Sequence, residues 1–262
     1  RGIVPVAESL DHVGPLCRQH LTMVFLEVLC VYFIAASIEG KHATRNLLLG
    51  LFFLFLAGYA KQLAVFTAVA VFGYLFAHNP IRAMKLGLGF GLAFGTAFVV
   101  INWATDGHWW TSTIAANVNE FIIPQLVGLF RTWLRVHPLF IALSVALILF
   151  ELYRDRVSLY ALWFLATLGT GLMWAKWGAG EAYWVSSVAA AIILAGFALG
   201  KAQSWIGAHQ PRWQGLATLV VPLLLLGQAK AMLHLPTEGP VWGPIARTLG
   251  VSEQSAYADY PY

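Results

Sequence analysis

The amino-acid sequence predicts an all-α polytopic membrane protein, with about eight transmembrane helices and an interfacial helical segment on the external side. Three observations predict it. Of the 262 residues, 59% are hydrophobic and only 11% are charged, where a soluble domain carries about 25% charged residues. Mean hydropathy is +0.71. The few charges lie between long uncharged runs, and a run of about 20 apolar residues is what a bilayer crossing requires.

Eight runs qualify, at 21–38, 46–60, 63–77, 85–102, 138–153, 157–175, 183–200 and 215–232. The first contains Glu27, a carboxylate that costs roughly 3 kcal/mol in mid-membrane unless it is paired, protonated or facing a cavity. A structural pair and a site residue are equally good readings of it. The second and third runs are parted only by Lys61-Gln62. A single helix over 46–77 would reach about 48 Å with a lysine near its middle, so a tight hairpin with Lys61 at one surface costs less. In the fourth run Gly87, Gly91 and Gly95 recur every four residues, a bare stripe against which a neighbouring helix can pack closely.

Segment 103–137 is not plain linker. Trp103, Trp109 and Trp110 suit the headgroup layer. Phe121, Ile122, Leu126, Phe130 and Trp133 alternate with Gln125, Arg131 and Arg135. That mixture suits a helix lying in the interface, started or broken near Pro124. A surface loop with anchoring aromatics is the plainer alternative. Residues 1–232 thus read as a transmembrane helical domain and 233–262 as an external C-terminal tail.

Short loops rich in Lys and Arg stay cytoplasmic. Placing 39–45 there sends 78–84, 154–156 and 201–214 to the same side, with Lys41, Arg45, Arg82, Arg154, Arg156, Lys201 and Arg212. Lys61, Asp106, His108, Glu120, Lys176 and Glu181 then share the external face, from three separate loops. Converging polar groups above a helical bundle are what a site looks like. The stretch WAKWGAGEAYW, Trp174 to Trp184, belongs to it: its glycines leave room for a ligand. Its Lys176 and Glu181 could equally bridge one another at a helix end, and Lys61 could simply snorkel to the headgroups.

Other classes are disfavoured. The net charge of +4 comes with no dense basic cluster, so nucleic acid is not an expected partner. No phosphate-cradling glycine loop, His-Glu-x-x-His or Gly-x-Ser-x-Gly appears. All eight histidines fall in loops or at helix ends, which argues against haem or chlorophyll ligation within a helix. Cys17 and Cys30 are about 20 Å apart along one helix, too far for a disulfide.

Three stretches taken together resemble bacterial integral-membrane glycosyltransferases of the C superfamily, relatives of the protein mannosyltransferases and the lipid A aminoarabinose transferase. GLFFLFLAGYAKQLAVFTAVAVFGYLF resembles the family's helix, Ala-Lys-Gln, helix unit. TDGHWWTSTIAANVNEF resembles its external segment, with spaced asparagines at Asn117 and Asn119. GLMWAKWGAGEAYW is similar to its Lys-x-Gly-x-Gly-x-Asn-Tyr stretch, and CRQHLTMVFLEVL to an Arg-x-Asp-led helix. The likeness runs over roughly residues 14–200.

The resemblance implies transfer of a sugar from a polyprenyl-phosphate donor at the external face of a bacterial inner membrane. Lys61 and Lys176 would neutralise the lipid phosphate. Glu181, Tyr183, Asn117 and Asn119 would orient sugar or acceptor, joined by Asp106 and His108 on the same face. A divalent metal is compatible with the superfamily, although the sequence offers no ligand set for one. His20 replaces the family's acidic residue and Ala182 its asparagine. The superfamily's catalytic aspartate lies in a first external loop that this chain is expected to begin beyond, so the catalytic residue is unknown. The chain reads as a fragment or shortened relative. The alternative is a non-catalytic subunit of a larger energy-transducing or photosynthetic membrane complex, with other membrane subunits as partners.

Overall fold

A computed structural model describes residues 19–39, 42–154, 157–176 and 181–232, which are helical almost throughout. The helices are α1 (Gln19–Glu39), α2 (Ala43–Ala60), α3 (Val65–His78), α4 (Pro80–Ala104), α5 (His108–Thr113), α6 (Ile123–Val136), α7 (Pro138–Tyr153), α8 (Leu159–Leu172), α9 (Val185–His209) and α10 (Gln214–Met232). Each of the eight apolar runs is helical. Four of the helices, α1, α2, α4 and α9 with its preceding turn, are long and apolar enough to cross a membrane. The pair α6–α7, bent by 88° at its break, would make a fifth. The remaining apolar helices are shorter, and α10 carries Pro222 in its interior.

Lys61 does end one helix and precede the next. Its backbone is extended, at φ −162° and ψ 138°, and a single 3₁₀ turn, Gln62–Ala64, leads into α3. The helix–break–helix reading of 46–77 therefore holds over the continuous one.

Two loops expected from the sequence are helix instead. Residues 80–84 form the start of α4, not a loop, because Asn79 accepts a hydrogen bond from the Arg82 N–H at 3.0 Å and Pro80 occupies the first turn. An Asn–Pro pair is a helix-start signal in its own right. Residues 201–209 continue α9, so Lys201 sits on helix and pairs with Glu151 of α7 at 3.6 Å.

The core lies among α1, α2, α3, α7, α8 and α9. α1 packs closely on α2, α9 on α7 and α8, and α3 on α8. The inner stripe of α9 is small but for one leucine: Ser186, Ser187, Ala190, Ala191 and Ala195, with Leu194. That stripe lets backbones approach, and the Ser144 hydroxyl reaches the Ala191 carbonyl at 3.1 Å. Ser187 donates to the Thr167 carbonyl at 2.6 Å. At the end near α6, Trp133 stacks on Trp184 at 4.3 Å and Trp174 meets Trp184 edge-on at 4.6 Å. A Cβ at Gly171 would collide with the Trp184 ring, so glycine is required by that packing.

The glycine stripe of α4 behaves otherwise. Gly87 lies near the Phe72 ring, but nothing stands within 4 Å of a Cβ built at Gly89, Gly91 or Gly95. The expected close helix neighbour is absent there among the described residues, because α4 turns its phenylalanines, not its glycines, toward α2 and α3.

The sharp bend between α6 and α7 has a specific tie. Gln228 of α10, itself buried, donates to the Val136 carbonyl at 2.7 Å and accepts from the Leu139 N–H at 3.1 Å. Both groups are orphaned by the helix break, and one amide side chain satisfies them.

Candidate functional site

Polar side chains from separate loops meet at one end of this bundle. Lys61 holds its Nζ 5.0 Å from the centre of the Tyr183 ring, close enough for cation–π attraction. The His20 ring approaches that same tyrosine at 5.2 Å. Thr170 of α8 donates to the Tyr183 carbonyl at 2.8 Å, which fixes the turn Glu181–Trp184 against the helix. Lys61, His20 and Tyr183 are thereby brought together from three places in the chain.

A second group forms where segment 115–125 lies along the end of α8. Phe121 and Lys176 make an antiparallel backbone bridge. The Ile122 N–H donates to the Ala175 carbonyl at 2.5 Å. Gln125 donates to the Trp174 carbonyl at 2.8 Å and to that of Lys176 at 3.3 Å. With its backbone so held, Lys176 donates from Nζ to the Asn117 carbonyl at 3.1 Å. Asn117 is held in turn, its amide donating to the Thr113 carbonyl at 2.9 Å.

Gln62, next to Lys61, joins the two groups by donating to that same Thr113 carbonyl at 2.8 Å. The path Lys61–Gln62, Thr113, Asn117, Lys176 connects both lysines through the external segment.

Other expected residues stand apart or outside. Asp106, in the left-handed region at φ 50°, lines a separate cleft of about 360 Å³ with Phe98, Val99, Asn102 and Trp103. Neither lysine lines it. His108 opens the short helix α5 and is exposed, as is Asn119. The side chain of Glu181, residues 177–180, Cys17 and the tail 233–262 lie outside the described residues. Among the described residues no three His, Cys, Asp or Glu side chains group as a metal site would require.

Glu27 lies deeper. It follows His20 by two helical turns, about 10 Å along α1, with buried Met23 between them. One carboxyl oxygen accepts from Thr67 Oγ1 at 2.7 Å and the other from Ser186 Oγ at 2.6 Å. Thr67 accepts from Trp163 Nε1 at 2.9 Å. Four helices, α1, α3, α8 and α9, are tied by one fully buried carboxyl, and no cation pairs with it among the described residues. Of the two readings of Glu27, the geometry favours the structural one, with hydroxyls in place of an ion pair.

Gln62, Gln125 and Thr170 are the connectors that sequence reasoning did not single out. Gln125 had a visible signal: it shares a face of α6 with Leu129 and Trp133, at four-residue spacing, where a polar side chain needs a partner. Gln62 stands in the Ala-Lys-Gln unit, but its acceptor is a carbonyl 51 residues away, and Thr170 had no signal because its acceptors are backbone carbonyls.

Fold and site together define an all-helical chain, with several helices apolar and long enough to span a membrane and a polar cluster at one end of the bundle. No family model matches it, and neither does any curated protein or solved structure.

Proposed function

We propose that this chain is a multi-pass membrane protein of the lipid-linked glycosyltransferase kind, with its polar end facing outward from a bacterial inner membrane. In this reading eight helical runs cross the bilayer, the shorter ones sheltered by their neighbours. The observation that carries it is the joining of Lys61 and Lys176 through Gln62, Thr113 and Asn117. Two ammonium groups at one bundle end, with Tyr183 beside the first, suit a phosphate at the head of a hydrocarbon chain.

The chemistry is a displacement at the anomeric carbon. A base takes the proton of the acceptor hydroxyl as its oxygen bonds to that carbon, and the bond to the phosphate oxygen breaks. Lys61 and Lys176 stabilise the negative charge gathered on the departing lipid phosphate. Tyr183, Asn117, Asn119, Glu181, Asp106 and His108 are the proposed sugar- and acceptor-side residues. No base is assigned.

Binding of polyprenyl phosphate to the full chain in nanodiscs tests this. Lys61→Gln and Lys176→Gln should each weaken binding about tenfold, the worth of one charged hydrogen bond. Unchanged binding in both variants would sink the reading. Sugar transfer by the wild-type chain, followed as release of polyprenyl phosphate, distinguishes an enzyme from a scaffold. The alternative of a structural subunit in a larger membrane complex draws on one observation: α4 presents a long apolar face that no described element covers.

A further inference from the structure

A groove of about 510 Å³ runs between α2 and α4, reaching along α2 from Leu48 to Leu56. Its walls are Leu48, Leu51, Phe52 and Phe55 on one helix, and Leu86, Gly89 and Phe90 on the other, with Lys85 as its one charged lining residue. The volume falls within the roughly 300–1,000 Å³ of small-molecule sites.

The two helices run parallel. Phe55 meets Phe90 at 6.3 Å and Tyr59 meets Phe94 at 4.6 Å, so their N-terminal ends lie together. Arg45, in the first turn of α2, shares the face of Leu48 and Phe52 by helical spacing. Arg82 precedes Lys85 by one turn of α4. All three cations are exposed, and among the described residues none pairs with a carboxylate. From Ala43 to Ala104 the sequence contains no Asp or Glu at all. A hydrocarbon slot therefore ends in positive charge that no carboxylate pairs with among the described residues. Gly89 keeps the slot open, since nothing lies within 4 Å of a Cβ built there.

We propose that this groove binds one anionic glycerophospholipid, an acyl chain lying along Phe52, Phe55 and Gly89 and its phosphate held by Lys85 with Arg82 and Arg45. The site rests on the membrane placement proposed above but not on sugar transfer, and its basic end, at the start of α2 and α4, lies away from Lys61. The basic end falls on the side that the short Lys- and Arg-rich loops mark as cytoplasmic, where anionic lipids attract juxtamembrane cations.

Native mass spectrometry of the full chain, released from nanodiscs of mixed phosphatidylglycerol and phosphatidylcholine, tests it. The wild type should keep one phosphatidylglycerol in preference to phosphatidylcholine. Lys85→Gln combined with Arg82→Gln should lower that retention by more than tenfold, at about fivefold per cation. Gly89→Leu fills the slot while leaving every charge in place and should also abolish retention. Lys61→Gln should leave it unchanged, which separates this site from the proposed donor site. Equal retention of the two lipids, or full retention by Gly89→Leu, would overturn the proposal in favour of an ordinary lipid annulus. Displacement of the phosphatidylglycerol by equimolar polyprenyl phosphate would overturn it in favour of a second donor site.

Discussion

Helices α4 and α9 are both 25 residues long, and their best 18-residue windows have mean hydropathies of 1.8 and 1.9 with α9's preceding turn included. Yet 44% of the α9 window is buried and none of the α4 window. Composition does not separate them. The difference lies in which small residues line up. On α9, serines and alanines recur on one face: the Ser187 hydroxyl donates to a carbonyl of α8, and the Ala191 carbonyl accepts from Ser144 of α7. On α4, Gly89, Gly91 and Gly95 have nothing opposite. Its contacts come from Phe90 and Phe94 against Phe55, Phe72 and Tyr59.

The comparison can be broken hardest from the α9 side. Glu27→Ala should cost about 3 kcal/mol, since it strands the hydroxyls of Thr67 and Ser186 without their acceptor. Glu27→Gln should cost distinctly less, because it keeps an acceptor. Thermal unfolding in detergent would order the two variants, and equal losses would contradict the hydroxyl tie. Ala191→Leu, on the buried face of α9, should cost about 2 kcal/mol by overpacking against α7. The same enlargement on α4, Gly91→Leu, should leave the unfolding midpoint unchanged or raise it. A marked loss there would reveal a covered face.

The bend between α6 and α7 supplies a pH-dependent test. Burial holds the His137 imidazole down at about 4, below its ordinary value of about 6.5. Between those values the unfolded chain binds more protons than the folded one, so stability falls as pH drops from about 6.5 toward 4. Unfolding midpoints at pH 7.5 and 5 should differ for the wild type and converge for His137→Gln. Gly95→Ala should give a gain of up to about 1 kcal/mol from helix propensity alone.

The candidate site was legible in part. Lys61 and Lys176 stand out because charge interrupts apolar runs, and the reading of the short basic loops assigns both to one side; Tyr183 enters only through the family resemblance. The carbonyls that join them were not legible. Gln62 donates to a carbonyl 51 residues away and Gln125 to one 49 residues away, and a backbone acceptor leaves no trace in side-chain identity. The start of α4 was the reverse case. Asn79-Pro80 announces it locally, but by charge alone the nearby Arg82 reads as loop and the helix starts only at Lys85.

By itself, the sequence determined the helical character, the apolar runs and the break at Lys61. Those follow from local preference and from the cost of placing charge in an apolar run. Only the tertiary structure decided which of two equally apolar helices is enclosed, and that hydroxyls surround Glu27. It also decided that a basic-ended groove opens between α2 and α4. Each depends on complementary surfaces from distant segments, and burial belongs to the pair of surfaces and not to either one.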